Sequence, residues 1–306
     1  MTPRRSILSV PGHVEKMHHK AAQSVADVIM LDLEDSVPLD AKESARKRVI
    51  HSLLNIDWGD KTVSARINGL DTAFGYRDLL VLAEQAGPLL DTVVIPKVDH
   101  PADIHFADRM LTGIEKSKSF ERPIGIEAFI ESARGLESVS HITAASPRLK
   151  TLVFGVADYS ASIGARLVSI SGHGEMEDAI YPGHRWHFAM SRLVMAAKAA
   201  GMMAIDAPYG NFKDPEGLQR SAVIACALGF DGKWAIHPAQ IEPLHSVFSP
   251  TAEDIERARK ILDAYEKARQ EGRGAAAVDG RMIDGATVRL ARQLWEQATH
   301  LKLVEE

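Results

Sequence analysis

Short apolar segments alternate with longer amphipathic ones along most of the chain. The short segments are rich in β-branched residues, as buried strands are. There are eight: SILSV (6–10), VIMLDLE (28–34), TVSARI (62–67), TVVIP (92–96), IGIEAFI (124–130), TLVFGV (151–156), MMAID (202–206) and WAIHP (234–238). Strands separated by helices of this length indicate βαβ units with parallel pairing.

The segments between the strands read as helices. DAKESARKRVIHSLL has Asp40 as a candidate N-cap, and DPEGLQRSAVIACALG ends on a glycine. Eight strand–helix units predict an α/β fold, a (β/α)8 TIM barrel over residues 1–245. The alternative is a doubly wound open sheet, which usually has a Gly-rich phosphate turn after its first strand; SVPGHVEK is a poor example of one.

The pattern changes after residue 245. SPTAEDIERARKILDAYEKARQEGRGA predicts a long charged helix, and a Gly-bounded loop then leads into a last amphipathic helix. Residues 246–306 are therefore expected to form a helical extension that acts as a lid, an oligomer contact, or both.

Composition narrows the class of protein. The chain has 306 residues, of which 45% are apolar and 25% charged, and its net charge of −5 argues against binding to nucleic acid or an anionic membrane. Its single cysteine, Cys226, lies in an apolar run and is expected to be a buried thiol; no disulfide can form within the chain. The apolar run before Pro11 is too short for a signal peptide, and we expect a cytoplasmic protein.

Ionisable residues stand at the predicted carboxyl ends of seven strands, where the chemistry of such barrels lies. They are Glu34, Asp35, Arg66, Lys97, Glu131, Asp158, Asp206 and His237. Any one of them could be polar only because solvent begins there, but seven strands in succession favour a functional site.

Several carboxylates in one barrel mouth would repel each other unless a cation lies between them. Oxygen ligands favour Mg²⁺ or Mn²⁺ over zinc, and Glu131 and Asp158 lie on adjacent predicted strands. Glu127, deeper in the same strand, is expected to be structural or an outer-shell residue of the metal site. Arg66 is the natural partner for a substrate anion, although it could instead only neutralise Glu34.

Two further features lie between the sixth and seventh strands. The segment SIGARLVSISGHGEMEDAIYPG (162–183) is a candidate substrate-covering loop or a plain surface excursion. His184 and His187 have a spacing that zinc can use, but no third ligand stands nearby, so we do not favour a zinc site.

These residues fall within a series of motifs that resembles a known family, the HpcH/HpaI aldolase/citrate lyase β-subunit (CitE-like) family of C–C lyases. The likeness is closest to its malyl-CoA/β-methylmalyl-CoA lyases. The motifs run in order over nearly the whole chain: SVPG (9–12), ADVIMLDLEDSVPLDAKESAR (26–46), SARINGLDTAFGYRD (64–78), VVIPKV (93–98), IEAFIESARGL (126–136), FGVADYSAS (154–162), DAPYGNFKDPEG (206–217), GFDGKWAIHPAQI (229–241) and DGRMIDGATVRLA (279–291).

The resemblance implies a magnesium-dependent lyase that reversibly cleaves a 3-hydroxyacyl-CoA to acetyl-CoA or propionyl-CoA and glyoxylate. It places the metal on Glu131 and Asp158 and makes Arg66 the residue that stabilises the thioester enolate. It makes Asp284 the group that exchanges a proton with the acetyl methyl, reaching into the site of a neighbouring subunit. Asp284 could also serve as a helix N-cap.

The remaining assignments concern the surroundings of the metal and of CoA. Glu34 and Asp35 are expected to orient metal-bound water as outer-shell residues. Basic residues near the first strand could receive the CoA phosphates: Arg4, Arg5, Lys16 and Lys20, of which Lys20 occupies the recurrent lysine position after PG. The tail predicts a homotrimer or a hexamer with active sites completed by a neighbouring subunit.

Other functions on the same scaffold stay open. DAPYGNF stands where malyl-CoA lyases typically read DGPFGDF, and the segment before HRWHF is shorter than in many of them, which leaves the acyl substrate open. The alternatives are a citramalyl-CoA lyase with pyruvate as product, a malyl-CoA thioesterase, a citrate lyase β-subunit, a pyruvate aldolase without CoA, and a non-catalytic ligand-binding barrel.

Overall fold

The protein folds around a closed barrel of eight parallel strands in the order β1 to β8, as a computed structural model shows. The structure describes residues 3–165 and 184–304. The strands are β1 (Ser6–Pro11), β2 (Val28–Asp32), β3 (Thr62–Arg66), β4 (Thr92–Ile95), β5 (Gly125–Ile130), β6 (Leu149–Phe154), β7 (Met203–Asp206) and β8 (Gly232–Ala235). The predicted (β/α)8 barrel is confirmed, and the open sheet is excluded because β8 pairs with β1.

Helices connect the strands. They are α1 (Glu15–Ala22), α2 (Lys42–Asn55), α3 (Gly75–Ala86), α4 (Pro101–Lys118), α5 (Ala133–Glu137), α6 (Val139–Thr143), α7 (Val156–Ser162), α8 (His187–Ala199), α9 (Pro215–Leu228) and α10 (Ile241–Phe248). Asp40 does not cap α2 as predicted; it lies in a 3₁₀ turn, and Ala41 is at the N-cap. Cys226 is exposed on α9, because the apolar run around it turns only one face to the barrel.

The barrel interior is filled by apolar side chains, as in other barrels of this kind. One buried cluster consists of Ile7, Val28, Met30, Val94, Phe129, Val153, Ile205 and Trp234. The ring of Trp234 packs edge-on against that of Phe129, with centroids 4.5 Å apart. These two rings form a floor beneath the residues at the carboxyl ends of the strands.

A buried polar cluster lies nearer the amino-terminal ends of the strands. Glu127 on β5 accepts hydrogen bonds from Arg4, at 2.7 Å, and from Ser64 and Thr92. Glu127 is thus neutralised by a cation from the segment before β1, which satisfies a buried carboxylate without any metal. The structural role expected for Glu127 agrees with these contacts.

The chain divides into two compact units. One is the barrel with its helices, Arg4–His245, and the other begins at Ser246 and includes Pro3. The second unit holds α11 (Ala252–Gln270), a hairpin of β9 (Ala276–Val278) and β10 (Arg281–Ile283), and α12 (Gly285–His300). Across residues 3–165 and 184–304, no helix is both long and apolar enough to cross a membrane.

Candidate active site

A cleft of about 410 Å³ opens at the carboxyl ends of strands β3 to β6. Strand ends and the loops after them supply its walls, as in other barrels. The lining residues are Leu70, Asp71, Pro96, Lys97, Asp99, Asp103, Glu131, Ser132, Asp158 and Ser162. Of the predicted site residues, Lys97, Glu131 and Asp158 therefore meet at one cavity.

Arg66 lies beside the cleft residues in a buried ion-pair cluster. It is directly opposite Asp32 in the β2–β3 register and donates two hydrogen bonds to that carboxylate, each 2.7 Å long. Its Nη1 is also 2.7 Å from Glu34 Oε2. Burial raises the pKa of the Asp32 carboxyl, but the charge and hydrogen bonds of Arg66 outweigh it and lower that pKa overall. The pair is therefore ionised near neutral pH.

The guanidinium of Arg66 is fixed on its faces as well as its edge. Its central carbon lies 5.2 Å from the ring centroid of Trp234 and 5.7 Å from that of Phe129, a cation–π arrangement. A guanidinium has five N–H donors. Two of them donate to Asp32, and Nη1 makes an ion-pair contact with Glu34 without a hydrogen bond, so N–H groups remain for a substrate oxygen. Arg66 thus neutralises Glu34, as the alternative expectation held, and the same guanidinium still faces the site.

Glu131, the first residue after β5, is held between a backbone amide and a glycine. Its Oε1 accepts a hydrogen bond of 2.7 Å from the backbone N–H of Lys97. A Cβ on Gly155 would lie 2.5 Å from Oε2, so only glycine leaves room for this carboxylate. Burial, and then repulsion from Glu34 and Asp158, raise the pKa of Glu131 from its ordinary 4.5 to about 8.

Glu131 and Asp158 fit a hard divalent cation. Asp158 lies in the first turn of α7, which follows β6, the strand next to β5, and both Glu131 and Asp158 line the cleft. A buried carboxylate that resists ionisation beside a second one is the environment that a divalent cation relieves. Within the described ranges no three His, Cys, Asp or Glu side chains are grouped as a metal cage, and magnesium commonly needs only one or two carboxylates.

The two predicted outer-shell residues differ in their surroundings. Glu34 is buried, and its Oε1 accepts a hydrogen bond of 2.7 Å from Lys97 Nζ. Burial raises the pKa of the Glu34 carboxyl, although Arg66 and Lys97 oppose the shift. Asp35 is exposed and lies 3.7 Å from Arg66 Nη1. Glu34 therefore links Arg66 to Lys97. The outer-shell role predicted for Glu34 did not include these two contacts.

Other predicted residues lie away from the cleft. Arg5 stands before β1, at the amino-terminal end of the barrel, where Asp27 accepts three hydrogen bonds from its backbone and guanidinium. This location argues against the prediction that Arg5 receives CoA phosphates. Arg4 is buried against Glu127, whereas Lys20 is exposed in the last turn of α1 and stays a candidate.

Two strand-end residues of the seventh and eighth strands also have structural contacts. Asp206 forms a fully buried ion pair of 2.5 Å with Lys233. His237 accepts a hydrogen bond from the backbone N–H of Ala239, and its ring stacks on that of Phe212. Most of the candidate covering loop, residues 166–183, lies outside the described residues.

Asp284 belongs to the second unit, where it is exposed and caps α12. Its carboxylate accepts hydrogen bonds of 3.0 Å from the backbone N–H groups of Ala286 and Thr287. These hydrogen bonds, led by those from Thr287, lower the pKa of Asp284. The predicted N-cap role is present; its predicted proton-transfer role stays a prediction.

Sequence reasoning missed the roles of Asp32 and Lys97. Asp32 is an acidic residue within an apolar strand, and this position alone could have indicated a buried ion pair. Its partner on the next strand follows only from the register. Lys97 was visible as a strand-end residue, but no sequence pattern shows that its backbone has a positive φ of 52°.

The comparisons with known proteins agree with this fold. A family model described as HpcH/HpaI aldolase/citrate lyase matches residues 5–238. An L-malyl-CoA/β-methylmalyl-CoA lyase of Cereibacter sphaeroides is 42% identical over 301 residues, covering 97% of this chain and 95% of that enzyme. A malyl-CoA/β-methylmalyl-CoA/citramalyl-CoA lyase of Chloroflexus aurantiacus is 34% identical over 310 residues, covering 97% and 86%.

A solved structure extends the likeness to three dimensions. CitE from Mycobacterium tuberculosis, in complex with magnesium, acetoacetate and coenzyme A, superposes with a TM-score of 0.76 at 30% identity, covering 96% of this chain and 97% of that one. The barrel and its strand-end carboxylates are typical of (β/α)8 enzymes that work at the carboxyl ends of their strands. Together with the family match, they show that the chain belongs to the HpcH/HpaI aldolase/citrate lyase family.

The raised pKa of Glu131 predicts how cation affinity depends on pH. Below a pKa of about 8 a proton competes with the cation for this carboxylate. The Mg²⁺ affinity should therefore rise about tenfold per pH unit from pH 6 to 7.5 and level off above pH 8. Isothermal titration in two buffers of different ionisation enthalpy measures both the affinity and the released proton. A flat profile would contradict the assignment.

The raised pKa of Glu131 also affects the free energy of unfolding of the cation-free protein. Between pH 4.5 and 8 the folded state holds a proton on Glu131 that the unfolded state has released. The contribution of this group to the free energy of unfolding is thus fully present below pH 4.5 and is lost as the pH rises through 8. Cation binding should restore it at the upper end of that range.

Proposed function

We propose that this protein is a magnesium-dependent carbon–carbon lyase that reversibly cleaves L-malyl-CoA or β-methylmalyl-CoA to acetyl-CoA or propionyl-CoA and glyoxylate. The observation that carries the proposal is the carboxylate pair Glu131 and Asp158 beside the fixed guanidinium of Arg66. The activity for which the relative from Cereibacter sphaeroides is named supports the choice of substrate. Magnesium in the complex of the structural relative supports the choice of cation.

The chain's own residues suit both halves of such a reaction. Glu131 and Asp158 would hold the cation, which when bound acts as a Lewis acid on the 2-oxo acid. Arg66 would donate N–H groups that Asp32 does not use to the thioester oxygen as enolate charge develops there. Donors fixed in advance in this way contribute on the order of 3 kcal/mol to the transition state. Asp32 and Glu34 keep the guanidinium charged and oriented.

Asp284 is proposed to carry the proton to and from the acetyl methyl carbon. Its exposed N-cap position leaves one carboxylate oxygen, Oδ2, outside the hydrogen bonds of the cap. The cap lowers the pKa of Asp284, so efficient proton transfer needs a drier setting that raises it. We propose that a second copy of the chain provides that setting within a homotrimer or hexamer.

Substitutions at Asp284 separate capping from catalysis. Asp284→Ser keeps an N-cap acceptor and removes the acid, whereas Asp284→Ala removes both. We expect both variants to lose about 10²- to 10⁴-fold in kcat, and Asp284→Ala alone to lose about 1 kcal/mol of stability. Steady-state kinetics and chemical denaturation measure the two effects. Full activity in Asp284→Ser would remove Asp284 from the mechanism.

Lys20 is the proposed contact for a CoA phosphate. Lys20→Ala should raise the KM for CoA esters about three- to thirtyfold, because a charge-assisted hydrogen bond is lost, and leave kcat nearly intact. The control is Lys118→Ala, since Lys118 is also exposed in the last turn of a helix, α4, and has no predicted CoA-binding role. A lowered kcat with unchanged KM would exclude a CoA-binding role for Lys20.

The proposal is tested by incubating the purified protein with Mg²⁺, acetyl-CoA or propionyl-CoA, and glyoxylate or pyruvate. Products are separated by mass, and each reaction is repeated with EDTA. EDTA-sensitive malyl-CoA or β-methylmalyl-CoA would support the proposal, and product with pyruvate alone would make the protein a citramalyl-CoA lyase. Free CoA released from malyl-CoA without glyoxylate would identify a thioesterase. Turnover only with partner subunits would indicate a citrate lyase β-subunit, and no turnover would favour a ligand-binding barrel.

A further inference from the structure

Lys97 has an unusual backbone for a residue with a side chain. It follows β4 and Pro96, and its φ of 52° lies in the left-handed region. The other non-glycine residues with positive φ in the described part of the chain are Ser119, Asp279 and Lys302. Ser119 ends a helix, Asp279 lies in the β9–β10 turn and Lys302 follows α12, all places where chain reversal favours this conformation. Lys97 instead stands at the mouth of the barrel.

This conformation directs the amide of Lys97 into the site. Its backbone N–H donates to Glu131 Oε1 at 2.7 Å. The next residue is anchored independently, because the Val98 N–H donates to the Phe129 carbonyl at 3.1 Å. This hydrogen bond fixes the orientation of the Glu131 carboxylate. The strained backbone thus fixes the orientation of a proposed metal ligand.

The side chain of Lys97 reaches in the other direction, to the Arg66 cluster. Its Nζ lies 2.7 Å from Glu34 Oε1, while Glu34 Oε2 lies 2.7 Å from Arg66 Nη1. Among the residues that the structure describes around the cleft, Lys97 is the one basic residue, facing five carboxylates. It is also half-exposed, with 46% of its side chain accessible. An exposed lysine with no structural role would extend into solvent and not toward the buried carboxylate of Glu34.

We propose that Lys97 is a positioning residue that couples the two halves of the site, which rests on the proposed function. Its backbone amide orients Glu131 for the cation, and its ammonium keeps Glu34 against the guanidinium that binds the enolate oxygen. One residue thereby sets the spacing between the cation and Arg66. Neither half of this role requires Lys97 to touch the reacting atoms.

The backbone half is tested by comparing Lys97→Gly with Lys97→Ala. Both variants lack the ammonium group, so the loss of its repulsion of a cation affects the Mn²⁺ affinity of both equally. Glycine adopts positive φ without strain, whereas alanine is free to leave it once the anchoring side chain is gone. We expect Lys97→Gly to bind Mn²⁺ about five- to thirtyfold more tightly than Lys97→Ala. Electron paramagnetic resonance of free Mn²⁺ measures this without any turnover, and equal affinities would overturn the backbone role.

The side-chain half is tested with Lys97→Met and Lys97→Arg. Methionine keeps the length and removes the charge that holds Glu34, so kcat measured at saturating Mn²⁺ should fall about 10- to 100-fold. Arginine retains the cation and should recover most of the lost kcat. If Lys97→Met keeps kcat within twofold, or Lys97→Arg rescues nothing, the coupling through Glu34 is wrong. Thermal unfolding confirms that each variant is folded, and Mn²⁺ binding stays informative even if the proposed reaction is not found.

Discussion

Replacing Glu131 with glutamine is expected to remove divalent-cation binding and to lower kcat/KM by at least about a thousandfold, because loss of a metal ligand removes the Lewis acid. Glutamine has nearly the same shape, and its amide oxygen can still accept the Lys97 N–H. Removing the charge also relieves the repulsion by Glu34 and Asp158 that helps to raise the pKa of Glu131. The cation-free variant should therefore unfold at a higher temperature than the cation-free wild type at pH 8.

The matched control is Glu127→Gln, four residues earlier in the chain and within β5. It leaves Arg4 without its buried carboxylate partner, so it should cost about 3–5 kcal/mol of stability. Its Mg²⁺ affinity, measured by isothermal titration at a temperature where it is folded, should match that of the wild type. Mg²⁺ binding by Glu131→Gln with wild-type affinity would contradict the assigned metal ligand.

The second large effect is expected at Arg66. Arg66→Lys keeps the charge but loses the two-point contact with Asp32 and the fork that faces the substrate oxygen. We expect kcat to fall about 10²- to 10³-fold, as when a fixed oxyanion donor is removed. Mg²⁺ affinity should change little, because Arg66 is not a proposed ligand. Steady-state kinetics and titration of Mg²⁺ on the same preparation separate these quantities.

Arg148→Lys provides the control for this experiment. Arg148 also makes a partly buried ion-pair cluster, with Asp108 and Glu115, but it stands at the amino-terminal side of the barrel, before β6. Its replacement should lower stability and leave kcat unchanged. Equal losses of kcat in both variants would show that the effect of Arg66→Lys comes from general destabilisation.

The barrel could be predicted from the sequence because each strand is a short apolar run and each connection is long enough for a helix. The positions of Glu131, Asp158 and Arg66 followed from the rule that strand ends share one mouth. The same rule could not separate Glu127 from Glu131, which are four residues apart and have the same period-2 spacing. Their depth in the barrel distinguishes them: Glu127 pairs with Arg4, whereas Glu131 lines the cleft.

What the sequence could not show are contacts between strands and unusual backbone conformations. Asp32 pairs with Arg66 only through the register of β2 on β3. Arg5 is close to the first strand in sequence, but it lies at the amino-terminal end of that strand and is bound to Asp27. Closeness in sequence does not tell which end of the barrel a residue occupies. Lys97 has a positive φ and contacts Glu34 and Glu131, neither of which is near it in the chain.

A crystal structure of the protein grown with Mn²⁺, with anomalous differences measured at the manganese edge, tests the metal site directly. We expect one strong peak in the cleft within about 2.0–2.3 Å of a carboxylate oxygen of Glu131 and of Asp158. The peak should disappear in Glu131→Gln crystals grown in the same way. A peak on other residues, or none in the cleft at pH 8 and millimolar Mn²⁺, would show that these two carboxylates do not form the metal site.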